Sequence, residues 1–109
     1  MNKSLLISIL MPVFNAERYL SDCLNSIVVQ TETQWELIAV DDQSTDESAS
    51  ILRRWAKRDD RIRVFDNSDK GIIPALRLAF QQSSGQLISR MDADDLMVPN
   101  KLDHLRPFC

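Results

Sequence analysis

The chain has 109 residues, a length that suits one small domain over residues 1–109 and is too short for two. Hydrophobic residues make up 44% of the chain and charged residues 27%, which argues against a disordered or low-complexity protein. Its 13 Lys and Arg and 16 Asp and Glu give a formal net charge of −3, so no binding to nucleic acid is expected.

The N-terminal segment and the cysteines indicate the compartment. The first apolar run is followed by Pro12, Asn15 and Glu17, without the small-residue cleavage site of a signal peptide. Cys23 lies on an apolar helical stripe and Cys109 is the last residue, so no disulfide framework is expected. Free thiols are typical of a reducing compartment. We therefore expect a cytoplasmic protein, placed at the membrane face if the chain is part of a longer one.

Apolar patterns predict strands that alternate with helices. A nearly unbroken apolar run predicts a strand over residues 5–14 that is buried on both faces. Apolar residues at helical spacing then predict a helix over 17–30. In chain order there follow a strand over 35–40, a helix over 44–57, a strand over 62–65, a helix over 72–82, a strand over 86–91 and the start of a helix over 99–105. This alternation predicts the α/β class, with a parallel sheet and right-handed crossovers.

Local signals refine two of these helices. Ser44 and Glu47 have the spacing of a capping box, which predicts reciprocal hydrogen bonds at the start of the second helix. In the third helix, Ile73, Leu76 and Phe80 are expected to face the core. Gly85 is expected to terminate that helix.

Acidic residues cluster directly after two of the predicted strands. Asp41 and Asp42 follow the second strand, whereas Asp92, Asp94 and Asp95 follow the fourth. The carboxyl ends of parallel strands meet at one edge of the sheet, where ligands bind. Carboxylates without nearby Cys or His ligands suit Mg²⁺ or Mn²⁺ rather than zinc. Two interpretations stay open at this point: a site for a metal ion and a diphosphate, or acidic residues that only form turns.

Other motifs are weaker or missing. Lys70 and Gly71 precede the third helix, whose free N–H groups could face a phosphate, and an ordinary turn is the alternative. The chain contains no G-x-G-x-x-G, no Walker A and no nucleophile-elbow motif.

Taken in order, four segments resemble the front half of a family 2 glycosyltransferase. They are SILMPVFNAERYLSDCLNSIVVQT, WELIAVDDQSTDES, the Lys70–Gly71 segment and ISRMDADDLMVPNKL. The resemblance implies a GT-A fold, a Rossmann-like αβα sandwich with a mostly parallel sheet, here truncated after the Asp-x-Asp (DxD) motif. It also implies a nucleotide-diphosphate sugar as donor, commonly a UDP-sugar, and transfer of the sugar with inversion to an acceptor hydroxyl.

The resemblance also assigns roles to single residues. Asp42 would accept a hydrogen bond from the imide N–H of the base, and Asp92 would lie near the ribose. Asp94 would bind Mn²⁺ or Mg²⁺ on the diphosphate, although the spacing leaves open whether Asp94 or Asp95 holds the metal. The remaining nucleotide-sugar contacts are expected from Lys70 and from the turn after the first strand, which consists of Pro12, Val13, Phe14 and Asn15.

The family's general base lies well after the DxD motif, and no residue of this chain matches it. The resemblance therefore implies a donor-binding portion that transfers no sugar by itself. Its acceptor is expected to be a saccharide or a glycolipid, as in polysaccharide biosynthesis. We expect the fourth strand to form an exposed sheet edge through which the chain self-associates.

Two other functions fit parts of the pattern. A receiver-like signalling domain is also a small α/β unit with a Mg²⁺ site, but its acidic pair should follow the first strand. Here Pro12, Val13, Phe14 and Asn15 follow that strand. A non-catalytic module that keeps a nucleotide site is the second alternative.

Overall fold

The computed structural model describes residues 6–97 and residue 102. Within this part of the chain, four strands alternate with three helices. In chain order they are β1 (Ile7–Val13), α1 (Glu17–Val28), β2 (Trp35–Asp41), α2 (Ser48–Arg58), β3 (Ile62–Asp66), α3 (Ile72–Gln82) and β4 (Leu87–Arg90). Of the further helix expected over 99–105, only residue 102 is described.

The four strands form one parallel sheet in the order β3-β2-β1-β4. This confirms the α/β class predicted from the alternation of elements. The chain adds β2 and β3 on one side of β1 and then returns to place β4 on the other side. The carboxyl end of β1 is therefore the point where the strand order reverses, and ligands bind at such points in parallel sheets.

Both faces of the central strands are buried. All seven residues of β2 and six of the seven in β1 are buried, which explains their continuous apolar sequence. Alternate strand residues build two cores, because successive side chains point to opposite faces. One core lies under α1 and α2 and includes Ile9, Met11 and Leu37. The other lies under α3 and includes Ile38 and Val40.

The face that α3 presents to the sheet differs from the prediction. Ala75 and Ala79 are the buried residues of this helix, whereas Ile73 is 62% and Phe80 is 60% exposed. Leu76 is partly buried, as expected. Small alanine side chains let the helix lie close to β1 and β2. Because apolar residues occur around most of the helix, their spacing did not identify the packed face.

The predicted capping box of α2 is wrong. The helix begins at Ser48, and its N-cap residue Glu47 makes no side-chain capping bond. The Ser44 hydroxyl instead accepts a hydrogen bond from the Asn15 N–H, at 2.9 Å. The Glu47 N–H donates to a carboxylate oxygen of Glu17 at 2.8 Å. These groups therefore join the loop before α2 to the segment after β1 instead of capping the helix.

Gly85 also has a different role from the one expected. The α3 helix ends at Gln82, three residues earlier. A Cβ atom on Gly85 would lie 2.5 Å from Ser8 Oγ and 2.6 Å from the carbonyl oxygen of Leu6. Glycine is therefore required because β4 starts in close contact with β1.

A buried carboxylate holds the amino end of the sheet together. Glu36 on β2 accepts hydrogen bonds from the Ser8 hydroxyl at 2.6 Å and from the Ser84 N–H at 2.6 Å. Arg63 on β3 donates to its other oxygen at 3.3 Å. Burial raises the pKa of Glu36, but these hydrogen bonds outweigh burial and hold the pKa below its usual 4.5. This network links three strands at the end opposite the carboxyl edge.

None of the helices in residues 6–97 combines the length and the apolar character needed to cross a bilayer.

Candidate functional site

A cavity of about 290 Å³ opens at the carboxyl edge of the sheet, above the end of β1. The loops after β1, β2 and β4 and the first turn of α3 form its walls. Its lining residues are Pro12, Val13, Phe14, Asn15, Ala16, Tyr19, Asp42, Ile72, Asp92, Ala93 and Asp94. Seven of the nine predicted site residues thus line one cavity, and the other two, Lys70 and Asp95, lie beside it.

The turn after β1 is fixed by the loop that precedes α2. Asn15 has a positive φ of 47°, a conformation that Asn tolerates better than most residues. Its side-chain oxygen accepts a hydrogen bond from the Thr45 N–H at 2.7 Å. The next N–H, from Ala16, donates to the Ser48 hydroxyl at 2.8 Å. These bonds leave the Phe14 side chain half exposed, as one wall of the cavity.

Asp42 is a buried carboxylate held by the loop between β3 and α3. It is only 7% exposed, and one of its oxygens accepts hydrogen bonds from the Asn67 side chain at 2.9 Å and from the Gly71 N–H at 3.0 Å. The second oxygen lies 3.2 Å from the same Gly71 nitrogen and 3.9 Å from the Lys70 ammonium. A carboxylate oxygen has two acceptor positions, so this second oxygen can accept a further hydrogen bond from a ligand.

Asp41 differs from its neighbour. It belongs to the face of β2 that packs under α1 and α2, because side chains alternate along the strand. One of its oxygens accepts a hydrogen bond from the Ser44 N–H at 3.3 Å, and the other is buried without a hydrogen-bond partner among the described residues. Of the two acids after β2, only Asp42 lines the cavity.

Lys70 connects Asp42 with Phe14. Its ammonium donates to the carbonyl oxygen of Asp42 at 2.8 Å and lies 3.5 Å from the centre of the Phe14 ring. The cation is thus attracted to the ring face as well as to the carboxylate. Gly71, which follows, has a φ of 131°, a conformation that favours glycine. This backbone turn directs the Gly71 N–H to Asp42.

The opposite wall is formed by residues 92–95, which we call the acidic loop. Carboxylate oxygens of Asp92, Asp94 and Asp95 all lie within 4.8 Å of one another, and the three residues are exposed. Arg90 pairs with Asp92 at 3.3 Å. Below the loop, Cys23 is fully buried. Its burial, with the negative charge of the acidic loop, raises the pKa of its thiol to about 12.

The donor atoms of the acidic loop fit a hard divalent cation. Oxygen ligands at this separation can bind one Mg²⁺ or Mn²⁺ ion together, and an exposed site leaves room for water and phosphate oxygens. Cys23, the cysteine within the described residues, is fully buried below the loop, and the exposed group that could hold a metal consists of carboxylates alone.

Several residues of the site were not identified from the sequence. Tyr19 and Ile72 line the cavity, and Asn67 orients Asp42. The position of Asn67 directly after β3 was the available signal, since the other acidic and amide residues of the site also follow strands. Tyr19 and Ile72 lie in the first turns of helices and carried no comparable signal.

The chain is similar in sequence to known proteins. The sequence matches the family described as Glycosyl transferase family 2 over residues 8–108. It is 36% identical over 99 residues to WfgD of Escherichia coli, a UDP-Glc:alpha-D-GlcNAc-diphosphoundecaprenol beta-1,3-glucosyltransferase, with 90% of this chain and 38% of WfgD covered.

Two solved structures share the fold. TarS of S. aureus (residues 1–349, in complex with UDP-GlcNAc) matches with a TM-score of 0.82 and 25% identity, over 91% of this chain and 29% of TarS. The mannosyltransferase PcManGT from Pyrobaculum calidifontis, in complex with GDP-Man and Mn²⁺, matches with a TM-score of 0.79 and 25% identity, over 86% of this chain and 29% of PcManGT.

The chain spans less than half the length of these relatives. The structural matches confirm the GT-A fold that the resemblance implied. The family match extends over nearly all of the sequence and ends beyond the acidic loop. The chain therefore belongs to glycosyltransferase family 2.

Proposed function

We propose that residues 1–109 form a single nucleotide-sugar-binding domain, the donor-binding portion of a metal-dependent glycosyltransferase. One observation carries this proposal: a buried carboxylate and a group of exposed carboxylates face the same cavity of about 290 Å³ from different walls. Asp42 suits a base with an N–H donor, whereas the acidic loop suits a metal ion that neutralises a diphosphate.

The donor is proposed to be a UDP-sugar. The free acceptor position of Asp42 would take the imide N–H of uracil, while Phe14 and Tyr19 provide aromatic walls for the base and the ribose. Pro12, Val13 and Asn15 would complete this side of the nucleotide. WfgD is named for UDP-Glc and TarS was solved with UDP-GlcNAc, which supports uracil as the base of the donor. PcManGT was solved with GDP-Man, so guanine is the base to compare.

The acidic loop is proposed to hold Mn²⁺ or Mg²⁺ through Asp94 and Asp95. Asp92 already pairs with Arg90, and we assign it to the ribose rather than to the metal. A metal bound at the loop supplies Lewis-acid stabilisation of the charge that develops on the departing nucleoside diphosphate. Lys70 lies beside the cavity, against the ring of Phe14 that forms part of its wall, and is proposed to contact the donor from there.

We propose that the chain by itself binds the donor but transfers no sugar. Among residues 6–97 and 102, the carboxylates at the cavity are assigned to the base, the ribose and the metal. None of them is left to remove the proton from an acceptor hydroxyl during inverting transfer.

The acceptor is proposed to be a saccharide or a glycolipid in polysaccharide biosynthesis, and the protein is proposed to be cytoplasmic. A non-catalytic binding module would share these donor contacts, so a transfer assay with a longer chain distinguishes the two.

Self-association through the edge of the sheet is a further part of the proposal. In the described residues β4 pairs only with β1, and Ile88 on this strand is 45% exposed. An exposed strand edge with apolar side chains favours pairing between chains. Analytical ultracentrifugation over a range of concentrations tests this point, and a monomer at all concentrations would contradict it.

Calorimetric titration of the wild type and of Asp42→Asn with UDP and GDP, both with Mn²⁺ present, tests the proposed function. We expect the wild type to bind UDP more tightly than GDP. The amide introduced by Asp42→Asn lacks the charge and one acceptor, so UDP affinity should fall by about tenfold. Asp60→Asn, an exposed acid after α2, is the matched control and should bind as the wild type does. Equal affinities of the wild type and Asp42→Asn for UDP would contradict the assigned role of Asp42.

A further inference from the structure

The acidic loop has no regular secondary structure, so other parts of the chain must hold it. On its N-terminal side the Met91 N–H donates to the carbonyl oxygen of Leu10 at 3.0 Å, which extends the pairing of β4 with β1. Within the loop, the Asp95 N–H donates to the carbonyl oxygen of Asp92 at 3.1 Å. Neither contact fixes the C-terminal side of the loop.

The C-terminal end of α1 and the residues directly after it supply that second anchor. The Met97 N–H donates to the Ser26 hydroxyl oxygen at 2.9 Å, and the Leu102 N–H donates to the Gln30 side-chain oxygen at 3.1 Å. The side chains of Met97 and Leu102 are buried in the core cluster under α1 and α2. Met97 and Leu102 are thus held by hydrogen bonds to Ser26 and Gln30 and by apolar packing.

Both anchoring side chains are themselves fixed. Ser26 lies in α1 one turn after Cys23, and Gln30 follows four residues later, just beyond the end of the helix. The Ser26 hydroxyl donates to the carbonyl oxygen of Cys23 at 2.6 Å, so its lone pairs remain for Met97. The Gln30 amide nitrogen donates to the carbonyl oxygen of Ser26 at 3.2 Å, which orients its oxygen toward Leu102. Gln30 is also buried.

We expect these contacts to affect the position of the acidic loop more than the stability of α1. An apolar residue at either position could pack against the same core, but it would leave a backbone N–H of Met97 or Leu102 without its acceptor. An unpaired buried N–H raises the free energy of the folded state, so Met97 or Leu102 would move until its N–H found another acceptor. The acidic loop would move with it. Small displacements matter because metal binding requires the carboxylate oxygens to remain close together.

We propose that Ser26 and Gln30 are positioning residues that hold the acidic loop in the arrangement that binds the divalent cation. This inference rests on the proposed function, since it assigns the cation to the acidic loop. It concerns one residue near the C-terminal end of α1 and one just beyond it, neither of which lines the cavity or belongs to the group of metal-binding carboxylates.

The test measures the affinity for Mn²⁺ at saturating UDP, from the electron paramagnetic resonance signal of free Mn²⁺. Ser26→Ala should weaken Mn²⁺ binding by about tenfold, and Gln30→Met, which keeps the side-chain length but lacks the acceptor, should act in the same direction. Ser26→Thr keeps the hydroxyl and should restore binding. Ser21→Ala changes an exposed serine on the same helix and is the matched control.

A second readout separates positioning from general damage to the fold. UDP affinity without metal rests mainly on Asp42 and Phe14, on the other side of the cavity, and only the Asp92 contact to the ribose comes from the acidic loop. It should therefore change far less than the Mn²⁺ affinity in all four variants. A parallel loss of metal-free UDP binding and of Mn²⁺ binding would overturn the inference, as would wild-type Mn²⁺ affinity in both Ser26→Ala and Gln30→Met. If the wild type itself bound no Mn²⁺ in the presence of UDP, the proposed function would fail first.

Discussion

Asp42 depends on neighbours that come from distant parts of the sequence. The Asn67 side chain and the Gly71 N–H donate to it, and Lys70 donates to its backbone carbonyl. A buried carboxylate is stable only when such partners replace water. The same partners fix the direction in which its remaining acceptor position points. The binding of the base is therefore a property of the loop after β3 as much as of Asp42.

Asn67→Ala tests this dependence. The substitution removes a donor 2.9 Å from the Asp42 carboxylate and leaves that buried charge with fewer partners. We expect a loss of about 1–3 kcal/mol in the free energy of unfolding, and UDP affinity lower by about fivefold. Urea denaturation and calorimetric titration measure the two effects.

Ser68→Ala changes the exposed neighbouring residue and is the control for Asn67→Ala. It should leave both quantities at the wild-type value. If Asn67→Ala behaved like this control, the Asn67 side chain would not orient Asp42.

At the scale of single residues, the sequence predicted the acidic side chains of the site better than the residues that surround and orient them. Acids that follow parallel strands meet at one edge, so Asp42, Asp92 and Asp94 could be placed together from strand positions alone. Tyr19, Ile72 and Asn67 could not, because their positions depend on how loops and helix ends pack. Ser44 and Glu47 show the same limit, since tertiary contacts with the segment after β1 replaced a local capping pattern.

At the scale of elements, burial explains what could be predicted. β1 and β2 are buried on both faces, so continuous apolar runs identified them with little ambiguity. The packed face of α3 was not predictable, because this helix carries apolar residues on its exposed side as well, among them Ile73 and Phe80. Gly85 was assigned to the wrong element because its close contact with β1 cannot be seen in the local sequence.

The network around Glu36 predicts how the stability of the sheet depends on pH. Its pKa is lowered in the folded state, so its contribution is fully present above the unfolded value of 4.5 and is lost as pH falls through the folded pKa. Glu36→Gln should lower the free energy of unfolding by about 2 kcal/mol at pH 7. The difference between wild type and variant should shrink as the pH falls below 4.5.

Urea denaturation of the wild type and Glu36→Gln between pH 7 and pH 3 measures this effect. Asp60→Asn, an exposed acid, provides the control for a change of one charge. A difference between wild type and Glu36→Gln that stayed constant across this range would show that the ionised carboxylate is not what joins the three strands.

At the scale of the whole molecule, strand order decides which loops share the cavity. β1 lies in the centre, β2 on one side carries Asp42, and β4 on the other side leads into the acidic loop. A nucleoside diphosphate above the end of β1 would therefore meet a hydrogen-bond acceptor for the base at one end and metal-binding carboxylates at the other. We therefore propose that these two ends act on one ligand.

Calorimetric titration with UDP in the presence and absence of Mn²⁺, on the wild type and on Asp94→Ala, tests that claim most directly. We expect Mn²⁺ to tighten UDP binding by the wild type about tenfold or more, and Asp94→Ala to abolish this gain while its metal-free affinity stays the same. Asp60→Ala should retain the gain, because its charge lies away from the cavity. If a folded wild-type sample bound UDP equally well with and without Mn²⁺, the acidic loop and the nucleotide site would not act on the same ligand.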